Sequence, residues 1–278
     1  DCSRPLPLRV SEKKTSHRSR TSTWPARLRT LHIEMGNKIV TLKGKRILVL
    51  GGTSGIGLAV AEAVVAEGAE VVVVSSQQSR VADALSILGS GTQGFTAQLS
   101  DEASVDDLFT KVGKFDHMIY TAGDSVWQRP IGDTMLEDAK RFFDVRFWGA
   151  FLAAKHGSKQ IRPGGSIVFT SSTVPRRPAV GFAIGASVSA SVEAFAVAMA
   201  VELAPVRVNC VAPGIVRSPI WNRLPQEQRE SFFKTRGAAL PVGKVGEPAE
   251  VAEAYLSFMR SAYTTGQVIV VDGGMLLV

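Results

Sequence analysis

The chain has 278 residues, 45% of them apolar, which is enough for one large core and excludes a disordered class. Its formal net charge of +7 is uneven: residues 1–34 hold eight Lys/Arg against three acids (+5), and the remainder holds 24 against 22 (+2). A nearly neutral body argues against a nucleic-acid footprint, and no uninterrupted apolar stretch approaches the ~18 residues that span a bilayer, so neither nucleic acid nor membrane is expected as a partner.

Residues 1–34 are rich in Ser, Thr and Arg without helical periodicity and are expected to form a disordered basic segment. Two origins fit that composition: an organellar targeting peptide, or sequence preceding Met35, which runs straight into the first strand. The expectation is the second, with residues 35–278 forming one domain and the cytoplasm as its setting. Cys2 and Cys210 lie far apart, with no disulfide framework or metal-ligand spacing around them, so no metal is expected. Cys210 reads as a buried, inert thiol.

From Lys45 onward short apolar runs alternate with helical patterns, the signature of parallel strands joined by crossover helices. Strands are expected at Arg46–Leu50, Glu70–Val74, Gly94–Gln98, Asp116–Tyr120, Gly165–Thr170, Val206–Val211 and Val268–Val271. Helices are expected at Ile56–Glu67, 101–112, 134–159, 183–203 and 248–260. Residues 215–246 read as a long, Pro-interrupted connection of the kind that often covers a site.

The first strand runs into Gly51-Gly52-Thr53-Ser54-Gly55-Ile56-Gly57, which opens a helix. Glycines there let the backbone turn tightly and approach a pyrophosphate, whose charge then rests at the helix N-terminus. The strand before and the helix after supply the context that such a motif needs.

With this G-x-x-x-G-x-G spacing, residues 42–278 resemble the short-chain dehydrogenase/reductase family. Thr121-Ala122-Gly123, Ser171-Ser172, Arg207–Gly214, Gly246–Ala252 and Thr265–Gly274 follow in the matching order. The resemblance implies a single-domain α/β fold, a doubly wound parallel sheet of Rossmann type. It also implies a nicotinamide nucleotide, a small-molecule substrate, and assembly as a homodimer or homotetramer through the long helices. An apolar face with Phe195, Val197 and Val201 is compatible with assembly, although a buried core face would look the same.

On that resemblance the nucleotide would be held by Gly51, Thr53, Ser54, Gly55, Ile56 and Gly57 at the pyrophosphate. Gln98, Leu99, Ala122 and Gly123 would lie along the nucleotide, and Pro213, Gly214, Val216 and Ser218 would meet the carboxamide. The second strand ends in Ser75, Ser76 and Gln77, followed by Arg80, with no carboxylate to bind a ribose 2′-OH and repel a 2′-phosphate. NADP(H) is therefore expected over NAD, although Arg80 could equally be a solvated helix residue.

The resemblance also implies a proton-donating Tyr, a Lys four residues later, a Ser and an Asn. Ser172 matches the Ser, and Arg146 stands at the Asn position. The Tyr and Lys positions read as Ile184 and Val188, and residues 183–192 contain neither Tyr nor Lys. Three outcomes stay open: a reductase whose substrate needs no acid, such as an iminium or another pre-activated acceptor; a substituted acid, with Ser172, Tyr120 or a group held by Arg146 in that role; or a non-redox pseudo-enzyme or cyclase-type scaffold. Ser172 and Arg146 are the catalytic residues expected, Arg146 stabilising an oxyanion or else serving a salt bridge with Asp144 or a neighbouring subunit. Tyr120 reads more as core than as acid, Trp127, Trp148 and Trp221 are candidates to line a pocket with Trp148 reading more as packing, and His117 and His156 read as surface or strand-end residues. Arg176 and Arg177 read as a solvated pair or as a grip on an anionic substrate.

Overall fold

The computed structural model describes residues 41–123 and 125–278. The expectations for residues 1–34 fall outside the described residues.

Seven parallel strands form one sheet in the order β3-β2-β1-β4-β5-β6-β7. They are β1 (Arg46–Leu50), β2 (Glu70–Ser75), β3 (Thr92–Thr96), β4 (Phe115–Tyr120), β5 (Ile161–Thr170), β6 (Arg207–Pro213) and β7 (Val268–Val271). The helices are α1 (Gly55–Ala66), α2 (Gln78–Leu88), α3 (Glu102–Val112), α4 (Leu136–Phe143), α5 (Gly149–Gly157), α6 (Ala183–Glu202), α7 (Gln226–Ala238) and α8 (Pro248–Arg260).

Successive side chains of a strand point to opposite faces, and β1 shows the consequence. Leu48 and Leu50 enter one core with Phe109, Met118, Phe169 and Val192, while Ile47 and Val49 enter a second with Val60, Val251 and Tyr255. Both faces are covered, which is why Ile47–Leu50 of β1 and Val71–Val74 of β2 read as unbroken apolar runs rather than alternating ones. The strand order reverses between β1 and β4, and ligands of open α/β sheets bind beyond the carboxyl ends of the strands at such a switch point.

Four differences from the sequence reading matter. The expected helix 134–159 is interrupted at Asp144–Trp148 by a π-helical turn, in which the Gly149 N–H donates to the Asp144 carbonyl. Beside it the Tyr120 hydroxyl donates to the Val145 carbonyl, and a Cβ on Gly149 would fall 2.3 Å from that hydroxyl oxygen. The chain therefore widens where a buried phenol meets it, as π-turns often do near functional sites. Second, α2 and α7 were missed, although Val81, Ala84 and Leu88 line the buried face of α2 at helical spacing. Third, α6, at 20 residues, is long and apolar enough by composition to cross a membrane; here it packs on β5 and β6 and carries Glu193. Fourth, His117 is not a surface residue. It is 4% exposed, its Nδ1 lies 2.8 Å from Ser166 Oγ, and burial lowers its pKa to about 4.

Candidate active site

The cradle is built from backbone. Gly51 and Gly55 adopt φ of +87° and +53°, conformations that side chains disfavour. A Cβ on Gly51 would lie 2.7 Å from the Ala122 nitrogen, and one on Gly57 would lie 2.3 Å from the Gly51 carbonyl oxygen and 2.4 Å from Thr121 Oγ1. The β1–α1 turn is thus pressed against the end of β4, with Thr121 N–H bonded to the Leu50 carbonyl. At α1 the N-cap Ser54 makes no side-chain cap and the first turn holds no acid. Its N–H groups and the positive end of its dipole suit an anion. A pyrophosphate fits these residues on both counts, space and charge.

Around the cradle, Ser75 is buried at the end of β2 and its Oγ accepts from the Gln77 N–H (3.3 Å). Ser76, Gln77 and Arg80 are exposed at the start of α2, where a phosphate could be reached. Gln98 has an exposed side chain and its N–H donates to Ser104 Oγ; Leu99 is buried. Pro213 ends β6, and Gly214 passes so close to Asp272 that a Cβ would stand 2.8 Å from its Cα. Val216 is buried, and Ser218 Cβ lies 3.2 Å from where Gly55 would carry one. The structure thereby brings the β6 loop onto the N-terminus of α1.

Ser172 follows β5, and its Oγ is 2.8 Å from Ser189 Oγ on α6. It also accepts the Val174 N–H at 3.3 Å. This contact corrects the register read from sequence. The α6 residues turned toward Ser172 are Ser189 and, one turn earlier, Gly185. Val188 is buried at 2% exposure, so the Ile184/Val188 pair stands one residue short of the face that matters. No Tyr or Lys occurs anywhere in α6.

Behind Ser172 lies a charged anchor that sequence reasoning missed. Ser171 Oγ donates to Glu193 Oε1 (2.7 Å), and Arg176 grips the same carboxylate through Nη1 and Nη2 at 2.7 and 2.8 Å. This fork pairing raises the Arg176 pKa. Arg177 donates to the Met275 carbonyl (2.9 Å). Neither arginine is merely a solvated charge. A lone acid inside the apolar run of α6 was the signal that Glu193 had a partner.

Arg146, carried by the π-turn, faces Gly123: a Cβ there would lie 2.8 Å from its Nη1. Its Nη2 donates to the Ser125 carbonyl (2.5 Å), and its guanidinium stacks 4.8 Å from the Phe142 ring. The sequence alternative of a structural pairing with Asp144 gives way to this contact with the loop after β4. Tyr120 is fully buried and burial raises its pKa strongly, which leaves it in the core and not in acid catalysis. Trp148 is half exposed and stacks edge-on against Phe147 and Phe151. His156 lies between Asp106 and Glu102. Burial likewise raises the Cys210 pKa, consistent with an inert thiol.

A glycine cradle at the switch point, with a serine wall between the end of β5 and α6, defines a doubly wound α/β protein built to bind a small ligand at its carboxyl edge. Its family follows from comparison. A family model described as enoyl-(acyl carrier protein) reductase matches residues 51–276. The short-chain dehydrogenase/reductase ucsE of Acremonium sp. is 38% identical over 256 residues, covering 85% of this chain and 97% of its own. Among solved structures, a small-chain dehydrogenase in complex with NADPH superimposes with a TM-score of 0.73 at 35% identity, covering 85% of this chain and 100% of that one. The MalC reductase/Diels-Alderase of Malbranchea aurantiaca gives a TM-score of 0.80 at 31% identity, covering 85% and 98%. The chain belongs to the short-chain dehydrogenase/reductase family of oxidoreductases.

Proposed function

We propose that this protein is an NADP(H)-dependent reductase that works without the family's Tyr/Lys relay, on a small organic substrate already activated toward reduction, such as an iminium or another acceptor that already carries positive charge. One observation carries this reading: an intact glycine cradle stands beside an α6 face that offers Ser172 only Gly185 and Ser189. Gly51, Thr53, Ser54, Gly55, Ile56 and Gly57 would hold the pyrophosphate, and Gln98, Leu99, Ala122 and Gly123 would flank the adenosine and ribose. Pro213, Gly214, Val216 and Ser218 would meet the carboxamide. The choice of NADP rests on Ser75, Ser76, Gln77 and Arg80, where no carboxylate opposes a 2′-phosphate; the neighbour in complex with NADPH supports it.

When bound, the reduced nicotinamide supplies the hydride. The chain's own residues orient the acceptor. Ser172 Oγ accepts from Val174 N–H and, with Ser189 donating, from a second partner, so its own proton is left to point at a substrate heteroatom. Arg146 lies beside Gly123 and would stabilise negative charge only where the acceptor is a carbonyl; on an iminium, which the hydride neutralises, it would serve to hold the loop after β4 in place through the Ser125 carbonyl. Neither group has to lose a proton, and none of the ~10²–10⁴ that a general acid contributes is required when the acceptor is pre-activated. The same reading keeps a cytoplasmic setting and a homodimer or homotetramer. The apolar exposure of Trp148, Phe151, Val197 and Val201 supports assembly.

The test is NADPH oxidation, followed by nicotinamide absorbance, with unactivated ketones set against iminium and other cationic conjugated acceptors. Turnover only with the activated set supports the proposal, and Ser172→Ala should then lower it by about 10²–10³-fold. A second reading, a non-redox cyclisation catalyst on the same scaffold, draws on the likeness to a reductase/Diels-Alderase. Stable NADPH binding without oxidation by any acceptor would favour it.

A further inference from the structure

A cavity of about 220 Å³ is formed by the loop after β4, by α4 and by Arg223. Its connection to the reaction wall runs through α6. Ser189 touches Ser172, Gly185 stands one turn earlier, and a Cβ on Gly185 would lie 3.6 Å from Trp127 Cβ. A residue with no side chain at 185 lets the Trp127 loop settle over the space in front of α6.

Two features of the cavity wall define what it would accept. Its apolar part is a pair of rings, Trp127 and Phe142, with centroids 5.2 Å apart. Among the described residues its charged part is three guanidinium groups, Arg129, Arg141 and Arg223, against one carboxylate, Asp138. Asp138 is bonded to both Arg129 (2.6 Å) and Arg141, and those bonds, Arg129's first, hold its carboxyl below the usual range. The acid therefore stays ionised and neutralises only one of the three cations.

The loop is also held in place before any ligand arrives. Arg223 donates to the Val126 carbonyl (3.0 Å), Arg146 to the Ser125 carbonyl (2.5 Å), and the Arg129 N–H to the Gly181 carbonyl (2.8 Å). A preorganised wall loses less entropy on binding than a mobile one.

We propose that this cavity is the substrate's second anchoring point and takes a flat, aromatic or conjugated body that carries an anionic group such as a carboxylate. The rings stack on the body, and the surplus guanidinium charge pairs with the anion. This deepens the reductase reading by naming a substrate class; the activated group sits at Ser172 and the acidic handle lies away from it.

The experiment uses 2-naphthoate, which has nothing to reduce, and its uncharged isostere 2-naphthamide. Their binding to the full chain is measured by calorimetry, with and without NADPH. Naphthoate should bind at least about tenfold more tightly than the amide and weaken with added salt, while the amide should not. Arg141→Gln should weaken naphthoate about five- to tenfold and leave the amide and NADPH unchanged. Equal affinity for the two probes, no saturable naphthoate binding, or naphthoate binding indifferent to both salt and Arg141→Gln would each overturn the proposal. Because neither probe can be reduced, this result stands apart from whether any acceptor turns over.

Discussion

The cradle follows the carboxyl end of β1 and the serine wall that of β5, yet they are specified in different ways. The cradle is set by what is missing: Gly51 and Gly57 must lack a Cβ because a carbonyl, an amide and a hydroxyl lie within 3 Å of where one would go. The wall is set by what is present, side chains from β5, α6 and the turn after β5 that meet only because each element has one register. A single residue of slip leaves the cradle legible and changes the wall's chemistry. In a family whose activity depends on that wall, function can therefore shift while nucleotide recognition stays in place.

The largest expected effect tests that register. Val188 is buried at 2% exposure, so Val188→Lys would place an ammonium in the core and should cost about 3–5 kcal/mol of stability in denaturant unfolding. Ser189→Lys places the same charge beside Ser172 with Glu193 one turn along, and should cost at least about 2 kcal/mol less. Equal losses would mean that α6 sits in a different register.

Stability contributed by the start of the central strand β4 must be separated from both regions before pH effects on activity are read. His117 in the folded protein has a pKa of about 4, driven down first by burial and then by Arg207, against 6.5 when exposed. The unfolded chain therefore takes up a proton as pH falls through 6.5 while the folded one does not until about 4. Stability should fall by up to about 3 kcal/mol across that window, at about 1.4 kcal/mol per unit, and then level off for this group. Asp116 adds a second loss at lower pH. Burial alone would raise its pKa, but the Arg46 N–H, Lys45 and Arg162 outweigh that and hold it below the usual carboxylate value. Unfolding curves for His117→Asn should lack the first fall and keep the second.

For the cradle, Gly57→Ala forces a methyl into contacts of 2.3 and 2.4 Å. Overpacking of that kind costs about 1–3 kcal/mol, which corresponds to about 10–100-fold in NADPH affinity if the strain is borne by the turn itself. Calorimetry of the variant measures it. Unchanged affinity would show that the turn relaxes freely and that the cradle is not set by missing side chains.

The difference between the two regions also explains what the sequence made readable. Buried strands such as Glu70–Ser75 announce themselves by composition, and the β1–α1 turn by glycines at fixed offsets. The expected helix over 134–159 broke because Tyr120, distant in sequence, bonds to the Val145 carbonyl, and no local pattern carries that contact. His117 looked like a strand-end residue because its partner Ser166 lies 49 positions away. Gly185 and Ser189 were missed for a smaller reason: a count of residues after Ser172 cannot fix which side of a helix turns toward it. Trp127 was readable as a pocket-lining ring, and it does line the cavity; Arg223, which closes it from another loop, has no periodicity to announce it.

The smallest expected effect is also the most specific to the wall. Ser189→Ala removes one hydroxyl from a partly buried pair and leaves the Ser171–Glu193–Arg176 anchor untouched. If Ser189 donates to Ser172 and so frees its proton for the substrate, the loss should be about one hydrogen bond, about tenfold in kcat, with NADPH affinity unchanged. Ser189→Thr keeps a hydroxyl at the same position and should recover most of that loss, which a packing role would not predict. If both variants lowered kcat equally, or if KM alone moved, Ser189 would be a filler of space, and the orientation of Ser172 would have to come from the Val174 N–H alone.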